Sequence, residues 1–306
     1  MSILKKSTAV VAAGVLGLGV AACGENGEGA NGADAGNGGE TITLGYLPSW
    51  SDGLSTAYLL ENQLEEMGYE VEHVELNDAA VIYQALANGD IDMYPSAWPE
   101  ETHIEYAEQY SDDYESLGSY YDNAELNLSV PEYVDIDTIA ELQGQADRFG
   151  GQIVGIEPGA GLTRATEEDV IPGYELEGFE LTTSSTTAML TELDNAVQNE
   201  EDIVVTLWTP FWANGTFPVK ALEDTENFFP EPESLHFLAR SGFAEEFPEI
   251  AEFVGGIQIS DEEYSELEDL VVNEYEEGQE AEAIQEWLEN YPDLMPALPE
   301  TADAEN

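Results

Sequence analysis

The hydrophobic pattern of the chain changes repeatedly between a period of two and a helical period. Thr41–Tyr46 alternates and predicts a first strand, whereas Ser55–Met67 places Leu59, Leu60 and Leu64 on one face of a helix. The next predicted elements are a strand, a short helix and a third strand, at 69–76, 81–87 and 91–94. This alternation of strand and helix predicts an α/β layer around a largely parallel sheet.

A second block of strands and helices begins with a strand at 126–131. The pattern continues with a helix at 136–142, a strand at 152–156, a glycine loop at 157–161, a helix from Thr163, a strand at 178–182, a helix at 187–198 and a strand at 203–208. The chain should then return to the first block through a strand at 235–240 and acidic helices that reach Trp287.

Two blocks joined in this way predict two lobes with two crossovers between them. We expect lobe I to comprise residues 41–126 and 213–300, and lobe II to comprise residues 127–212. Each lobe would hold a mainly parallel sheet flanked by helices, and a ligand would bind in the cleft between the lobes. This is the hinge-bending plan of two-lobed, type II-like periplasmic binding proteins.

The N-terminus has the pattern of an export signal over residues 1–22, with two lysines, an apolar run at 9–20 and small residues before Cys23. An apolar residue, two small residues and then cysteine resemble a bacterial lipobox, so we expect Cys23, the sole cysteine, to be lipid-modified after cleavage. Residues 23–40 are mostly Gly, Asn, Ala and acidic residues, which predicts a flexible tether. The folded part would then be anchored to the outer face of the cell membrane.

The chain is strongly acidic, with 66 Asp and Glu residues against six Lys and Arg and a formal net charge of −60. Four basic residues remain after removal of the signal: Arg148, Arg164, Lys220 and Arg240. This composition excludes a nucleic-acid partner, because phosphate binding needs clustered basic residues. We interpret the acidity as adaptation to a saline exterior, where salt screens the self-repulsion. An acidic surface that attracts cationic ligands is also compatible with it.

Motifs for catalysis or metal binding are missing. The sequence has no His-Glu-x-x-His, no Gly-x-Ser-x-Gly and no cysteine near a usable histidine. His73, His103 and His236 are scattered, so we expect no metal site and no cofactor, and we interpret His103 as a capping or structural residue. The chain is therefore not expected to be an enzyme. An exported enzyme acting on a small zwitterion and an extracellular scaffold remain as alternative hypotheses.

Tryptophans stand at the ends of predicted strands. The stretch Val204–Trp212 carries Trp208 and Trp212 around a Thr-Pro turn, the strand at 91–94 leads to Trp98, and Trp50 follows the first strand. Because ligands of such sheets bind at the carboxyl ends of the strands, these side chains are candidates for one cleft. The alternative is that they are core residues that close a hydrophobic layer.

Two glycine turns open helices near these strand ends, at 51–56 and 157–162. Free backbone N–H groups at a helix start favour an anion such as a carboxylate, although each segment could also be a plain tight turn. Aromatic faces attract quaternary ammonium groups, by about 2 kcal/mol or more when the site is desolvated. A zwitterion with a trimethylammonium head and a carboxylate tail would satisfy both features.

The chain resembles the lipoprotein substrate-binding subunits of glycine-betaine ABC importers, from Thr41 to about Tyr291. The segments that carry the resemblance are Gly45-Tyr46 with 50–53, 81–87 followed by Asn88-Gly89-Asp90, Ser96-Ala97-Trp98, 155–161, Ser184-Ser185 with Ala188-Met189-Leu190, and 205–212. The family implies capture of a quaternary ammonium compatible solute for osmoprotection and its delivery to a permease with a separate ATPase. Glycine betaine is the first expected ligand, followed by proline betaine, carnitine and choline.

The family also implies a three-walled aromatic cage around the methylated ammonium, and Trp98 and Trp208 match two of the walls. In two branches the third wall falls at positions that are Ala160 and Ile259 here. Choline-binding relatives instead use a Trp-Thr-Asp segment that Trp50-Ser51-Asp52 resembles, so we expect Trp50 to close the cage. The alternative walls are Trp212, Tyr121 and Tyr46.

Backbone amides bind the ligand carboxylate in the family, at positions that match either Gly53 and Leu54 or Gly161 and Leu162. We expect Gly53 and Leu54, because the wall residue that belongs to the second arrangement is alanine here. Asp52 indicates a further alternative, since an acidic group could favour a cation without a carboxylate, such as choline.

Overall fold

The computed structural model describes residues 39–299 of the chain. The expected signal at 1–22, the expected lipidation site Cys23 and nearly all of the expected tether lie outside the described residues. Between residues 39 and 299, none of the helices combines the length and the apolar character that crossing a membrane requires.

In this part of the chain, nine strands pair in the order β2-β1-β3-β9-β4-β7-β5-β6, with β8 beside β4. Their bounds are β1 (Thr41–Tyr46), β2 (Glu70–Glu75), β3 (Met93–Ala97), β4 (Tyr114–Pro131), β5 (Gln152–Val154), β6 (Glu180–Thr182), β7 (Val205–Thr209), β8 (Val219–Ala221) and β9 (Glu233–Arg240).

The long strand β4 belongs to two groups of strands. Its residues 114–124 pair with β9, whereas residues 125–129 pair with β7 and residues 129–131 pair with β8. We call β1, β2, β3, β9 and the start of β4 the first lobe, and β5 to β8 with the end of β4 the second lobe. The change of partner falls between Ala124 and Glu125, close to the predicted crossover. The residue bounds expected for the two lobes stay a prediction.

Each lobe combines parallel and antiparallel pairs. β1 is parallel to β2 and β3, and β5 is parallel to β6 and β7. β9 is antiparallel to β3 and β4, and β4 is antiparallel to β7 and β8. The α/β class is confirmed, but the sheets are mixed because β4, which passes from one lobe to the other, and β9, which follows the return, run opposite to their neighbours.

The helices cover the sheets and fill the connections between strands. Their bounds are α1 (Ser51–Glu66), α2 (Ala79–Asn88), α3 (Ile104–Gln109), α4 (Gly161–Ala165), α5 (Ile171–Gly173), α6 (Thr186–Asn199), α7 (Ala213–Thr216), α8 (Phe243–Glu246), α9 (Pro248–Val254), α10 (Asp261–Asp269) and α11 (Glu280–Asn290). Short 3₁₀ turns cover Ile139–Leu142 and Ala146–Phe149, and π-helical turns cover Thr166–Val170 and Leu270–Glu274.

The start of α1 differs from the prediction in a way that matters for the site. The helix begins at Ser51 rather than at Ser55, and its N-cap residue is Trp50, whose side chain makes no capping hydrogen bond. Because Ser, Thr, Asp or Asn usually marks an N-cap, the sequence carries no signal for this start. The earlier start places Ser51, Asp52 and Gly53 in a buried first turn.

Candidate functional site

A cavity lies where the carboxyl ends of strands from both lobes meet. Three indole rings line it, because Trp50 follows β1, Trp98 follows β3 and Trp208 lies near the end of β7. The cavity holds about 320 Å³ of empty space, part of it open to solvent. Its other lining residues are Asp52, Thr102, His103, Leu126, Ile156, Ala160, Gly161 and Leu162.

Trp50 is held by residues of both lobes. Its backbone N–H donates to the carbonyl of Leu47 in the first lobe, and its indole Nε1–H donates to Oε2 of Glu157, 3.2 Å away in the loop after β5. The ring stacks on that of His103, with centroids 6.2 Å apart and planes 19° apart. The orientation of this wall is therefore fixed by a hydrogen bond on one side and by a ring on the other.

Trp208 is supported from behind by Phe211. The two rings are stacked, with centroids 3.9 Å apart and planes 14° apart. Trp208 is also paired with Leu126 across β7 and β4, and Leu126 lines the same cavity. The second lobe thus presents one flat aromatic wall and one aliphatic side chain to the cavity.

Trp98 and Asp52 are joined by a hydrogen bond inside the first lobe. Oδ2 of Asp52 accepts from the indole Nε1 of Trp98 at 3.1 Å and from the hydroxyl of Ser96 at 2.6 Å. The hydroxyl of Tyr120 donates in turn to Ser96 Oγ at 2.8 Å. Burial raises the pKa of Asp52, and the two side-chain hydrogen bonds act in the opposite direction. An acidic group thus shares the cavity with the indoles.

His103 is a neutral residue of the cavity wall. Its Nδ1 accepts the backbone N–H of Trp98 at 3.3 Å, and burial lowers its pKa to about 3. A neutral imidazole that accepts at Nδ1 carries its proton on Nε2. His103 is also the N-cap residue of α3, without a side-chain capping bond. It therefore positions the Trp98 segment and offers an uncharged N–H donor.

Glu233 of β9 fixes the loop that follows Trp98. Its carboxylate accepts the backbone N–H groups of Glu100, Glu101 and Thr102 at 3.0, 3.1 and 2.9 Å. Burial raises the pKa of Glu233, while the hydroxyl and backbone donors of Thr102 and the neighbouring N–H groups oppose that shift. A buried carboxylate with this many donors holds the loop, and with it Thr102 and His103, against the cavity.

The structure brings together six of the predicted site residues and places five elsewhere. Those that line the cavity are Trp50, Asp52, Trp98, Trp208, Gly161 and Leu162. Gly53, Leu54, Trp212, Tyr46 and Tyr121 are not among the lining residues. The ligand-binding role of every one of these residues stays a prediction.

The five residues outside the cavity wall have other neighbours. The N–H of Leu54 donates to the carbonyl of Trp50 within the first turn of α1, so it is not free for an anion. Leu54 and Trp212 line a separate surface cleft, Tyr46 bonds through its hydroxyl to His73 Nδ1 at 3.2 Å, and Tyr121 packs edge-on against Tyr264. The Gly53 and Leu54 amides were expected because the wall residue of the other arrangement is Ala160 here, and the observed helix start gives the Leu54 N–H an acceptor inside the helix.

Sequence reasoning gave Glu157 and Glu233 no role at the cavity, and it interpreted His103 as a capping or structural residue. Glu157 directly precedes the glycine turn and follows a predicted strand, which is a recognisable position. His103 is five residues after Trp98 but carries no pattern that separates a cavity wall from a cap. Glu233 has no signal, since its three backbone partners lie more than a hundred residues earlier.

Comparison with known proteins places the chain in one family. A family model described as the substrate binding domain of the ABC-type glycine betaine transport system matches residues 40–290. The glycine betaine/carnitine transport binding protein GbuC of Listeria monocytogenes is 35% identical over 145 residues, which are 47% of this chain and 47% of that protein. The match therefore spans about half the length of this curated relative.

Solved structures extend the likeness over most of the chain. ProX of Borrelia burgdorferi, a glycine/betaine/L-proline-binding protein, gives a TM-score of 0.76 at 30% identity and covers 84% of this chain and 97% of its own. Lactococcal OpuAC, closed on glycine betaine, gives 0.75 at 28% identity, with 83% and 96% covered. These likenesses confirm the two-lobed fold. With the family match over residues 40–290, they show that the chain belongs to the substrate-binding domains of ABC-type glycine betaine transport systems.

Proposed function

We propose that this protein captures a quaternary ammonium compatible solute between Trp50, Trp98 and Trp208 and delivers it to an ABC permease that a separate ATPase drives. The observation that carries the proposal is the joint lining of one cavity by three indoles and a buried carboxyl group. Among the described residues that line it, none is Lys or Arg. The protein itself makes and breaks no bond of the ligand.

The physical basis is cation–π attraction in a site that excludes water. Each desolvated aromatic face contributes about 2 kcal/mol to binding a quaternary ammonium, which cannot form ordinary hydrogen bonds. The indoles are buried, with Trp50 8% exposed, Trp98 5% and Trp208 4%. A methylated ammonium that moves from water to a place between three such faces loses only weak contacts with water, because it makes no strong hydrogen bonds there.

Glycine betaine is the first proposed ligand, since family members of known structure are named for it. Its carboxylate would face the start of α4, where the N–H groups of Gly161 and Leu162 precede the helical hydrogen bonds and both residues line the cavity. His103, a neutral imidazole with its proton on Nε2, lines the same cavity.

Choline is the second candidate, and one observation favours it. Asp52 lines the cavity, and in its ionised form its carboxyl group would attract a permanent cation, accept a hydroxyl and repel a carboxylate. A structure of a choline-binding protein with choline shares the fold at 24% identity and a TM-score of 0.72. A competition experiment between glycine betaine and choline decides which of the two is the preferred ligand.

We further propose that the protein works outside the cytoplasm and is anchored to the outer face of the cell membrane through a lipid on Cys23. The lipobox-like residues before Cys23 support this anchor. The family match supports an extracytoplasmic binding role.

The test is a competition titration of glycine betaine against choline in molar salt, followed by tryptophan fluorescence and calorimetry. We expect micromolar or tighter binding by the wild type and a roughly 30-fold weaker affinity for Trp50→Ala, Trp98→Ala and Trp208→Ala, from the loss of about 2 kcal/mol per wall. The matched control Trp212→Ala removes an indole outside the cavity and should keep the affinity within about threefold.

Two outcomes would contradict the proposal. If neither ligand changes the fluorescence or the melting temperature of the wild type, the protein is not a binder of these solutes. If the ligand is recovered chemically changed after incubation, the protein is an enzyme rather than a transport subunit.

A further inference from the structure

One carboxylate outside the cavity wall is bonded to both lobes. Glu157 begins the glycine loop of the second lobe, and each of its two oxygens accepts one donor from each lobe. Oε1 accepts the hydroxyl of Ser49 at 3.3 Å and the backbone N–H of Thr186 at 3.0 Å. Oε2 accepts the indole Nε1–H of Trp50 at 3.2 Å and the hydroxyl of Thr186 at 2.8 Å. The side chain therefore joins the lobes symmetrically.

The rest of the glycine loop packs against the first lobe without room for side chains. A Cβ at Gly159 would lie 2.0 Å from Oδ2 of Asp78, and a Cβ at Gly161 would lie 2.1 Å from the carbonyl oxygen of Thr102. The hydroxyl of Tyr106 donates to the carbonyl of Gly159 at 3.1 Å. The contacts of Glu157 thus belong to a continuous contact between the lobes.

The two donor groups of Thr186, the partner of Glu157 in the second lobe, orient the carboxylate from within that lobe. Thr186 opens α6 and donates both its backbone N–H and its hydroxyl to the carboxylate, so the side chain is already placed at the lobe surface. An acceptor that is pre-placed in this way loses little rotamer freedom when the other lobe arrives. Hydrogen bonds to a charged acceptor are stronger than hydrogen bonds between neutral groups.

We infer that Glu157 is a closure latch, a residue that bonds to Trp50 only when the lobes close. Its hydrogen bond then holds the Trp50 indole in place as the third wall of the cage, so the ligand is enclosed and the cage is completed in one event. Glu157 is a positioning residue, since it acts through Trp50. The inference rests on the proposed function for its effect on ligand binding, but its effect on Trp50 is independent of which ligand binds. In a purely structural alternative, Glu157 only binds Thr186 and stabilises the start of α6.

The first experiment measures ligand dissociation by stopped-flow fluorescence in a double-mutant cycle of Glu157→Gln and Trp50→Phe. Trp50→Phe keeps an aromatic ring and removes the Nε1–H donor. We expect Glu157→Gln to raise the dissociation rate of glycine betaine or choline roughly 10-fold in the wild-type background. The increase should be far smaller in the Trp50→Phe background, because the bond is already missing there. Equal increases in both backgrounds contradict the latch.

The second experiment follows the Trp50 indole directly. The chain has five tryptophans, and the Trp50→Phe variant identifies the Trp50 indole N–H signal in a nitrogen-15 NMR spectrum. We expect glycine betaine or choline to move that signal much further in the wild type than in Glu157→Gln, and we expect the substitution to leave the melting temperature without ligand nearly unchanged. If a ligand binds and moves the signal equally in both proteins, the latch is wrong and the proposed function stands; if neither ligand binds, the proposed function fails.

Glu141→Gln is the matched control for both experiments. Glu141 makes the same kind of carboxylate contact, with the backbone N–H groups of Asp137 and Thr138, but these partners are its own near neighbours in the chain. Its substitution should change neither the dissociation rate nor the Trp50 signal. A change as large as that of Glu157→Gln would show that any loss of an acidic group has the effect, and would overturn the inference.

Discussion

Two buried carboxyl groups lie next to the first turn of α1, and their surroundings differ. Asp52 lines the cavity and accepts the hydroxyl of Ser96 and the indole N–H of Trp98 through Oδ2. Glu268 of α10 accepts the hydroxyl of Ser51, at 2.8 Å, through Oε1. Its Oε2 is buried and makes no hydrogen bond of ordinary length and angle to the described residues.

The difference decides which group carries the charge. Burial, and then the neighbouring charge of Asp52, raise the pKa of Glu268 to about 8, and the donors from Ser51 and the backbone of Trp212 offset only part of this. The pKa of Asp52 is also raised by burial, but two side-chain donors stabilise its ionised form. The pair therefore relieves its repulsion by keeping the proton on Glu268. Asp52, whose donors stabilise the ionised form, is suited to a cation. Glu268, whose donors offset only part of the effect of burial, is kept neutral.

The largest expected effect concerns Glu268 and stability. A carboxyl group whose pKa is raised on folding stabilises the protein fully below its unfolded pKa of about 4.5, and this contribution is lost as pH rises through the folded pKa. We expect wild-type stability to fall by up to about 5 kcal/mol between pH 5 and pH 9 relative to Glu268→Gln, which cannot ionise. Denaturant unfolding in molar salt at several pH values measures the difference.

Glu233→Gln is the contrasting control for that prediction. Glu233 is also buried, but its carboxylate accepts three backbone N–H groups. In Glu233→Gln the side-chain NH₂ group would face backbone N–H groups and could not accept hydrogen bonds from them, so this variant should be less stable than the wild type at neutral pH. Two results would remove the distinction between the two kinds of buried acid. One is that both substitutions change the free energy of unfolding equally; the other is that the difference in this free energy between the wild type and Glu268→Gln stays constant from pH 5 to pH 9.

The next effect concerns Asp52 and ligand choice. Asp52→Asn replaces a carboxyl group next to the cavity with an amide of the same size that cannot ionise. We expect choline affinity to fall about 100-fold, near 3 kcal/mol, since a group that can carry a negative charge and accept a hydroxyl is lost. Glycine betaine should lose far less or gain, because repulsion of its carboxylate is relieved. Calorimetry with both ligands measures the ratio, and equal losses for the two ligands would argue against this role of Asp52.

The sequence predicted the parts of the fold that depend on local pattern. The strand Thr41–Tyr46 and the helix at 81–87 were recognisable because their hydrophobic periods differ, and the α/β class follows from their alternation. The gathering of Trp50, Trp98 and Trp208 was predictable because each follows or ends a strand whose carboxyl end faces the cleft. The mixed direction of the sheets was not predictable, since strand polarity depends on where the chain returns.

The charged part of the site was hidden for a physical reason. In a chain with 66 acidic residues, the sequence does not distinguish Glu157, Glu233 and Glu268 from solvated surface acids. What separates them is donors from distant segments, such as Trp50 for Glu157, and only folding brings those together. The sequence also did not show that α1 begins at Ser51 behind an N-cap tryptophan without a capping side chain, a start at which the Leu54 N–H bonds to Trp50 inside the helix.

The smallest expected effect isolates the hydrogen bond of Glu268. Ser51→Ala removes the donor to Oε1, and Ser51 is not among the residues that line the cavity, so ligand affinity should stay within about twofold. Stability should fall by about 1 kcal/mol at pH 6, where Glu268 is neutral, and by about 2 kcal/mol at pH 9, where the acceptor is charged. Ser55→Ala is the matched control, because Ser55 is buried on the same helix and its hydroxyl has no hydrogen-bond partner among the described residues. Its stability difference from the wild type should not change with pH. If Ser51→Ala behaves in the same way as Ser55→Ala across this range, Glu268 gains no charge next to Ser51 between pH 6 and pH 9, and its pKa in the folded protein is not about 8.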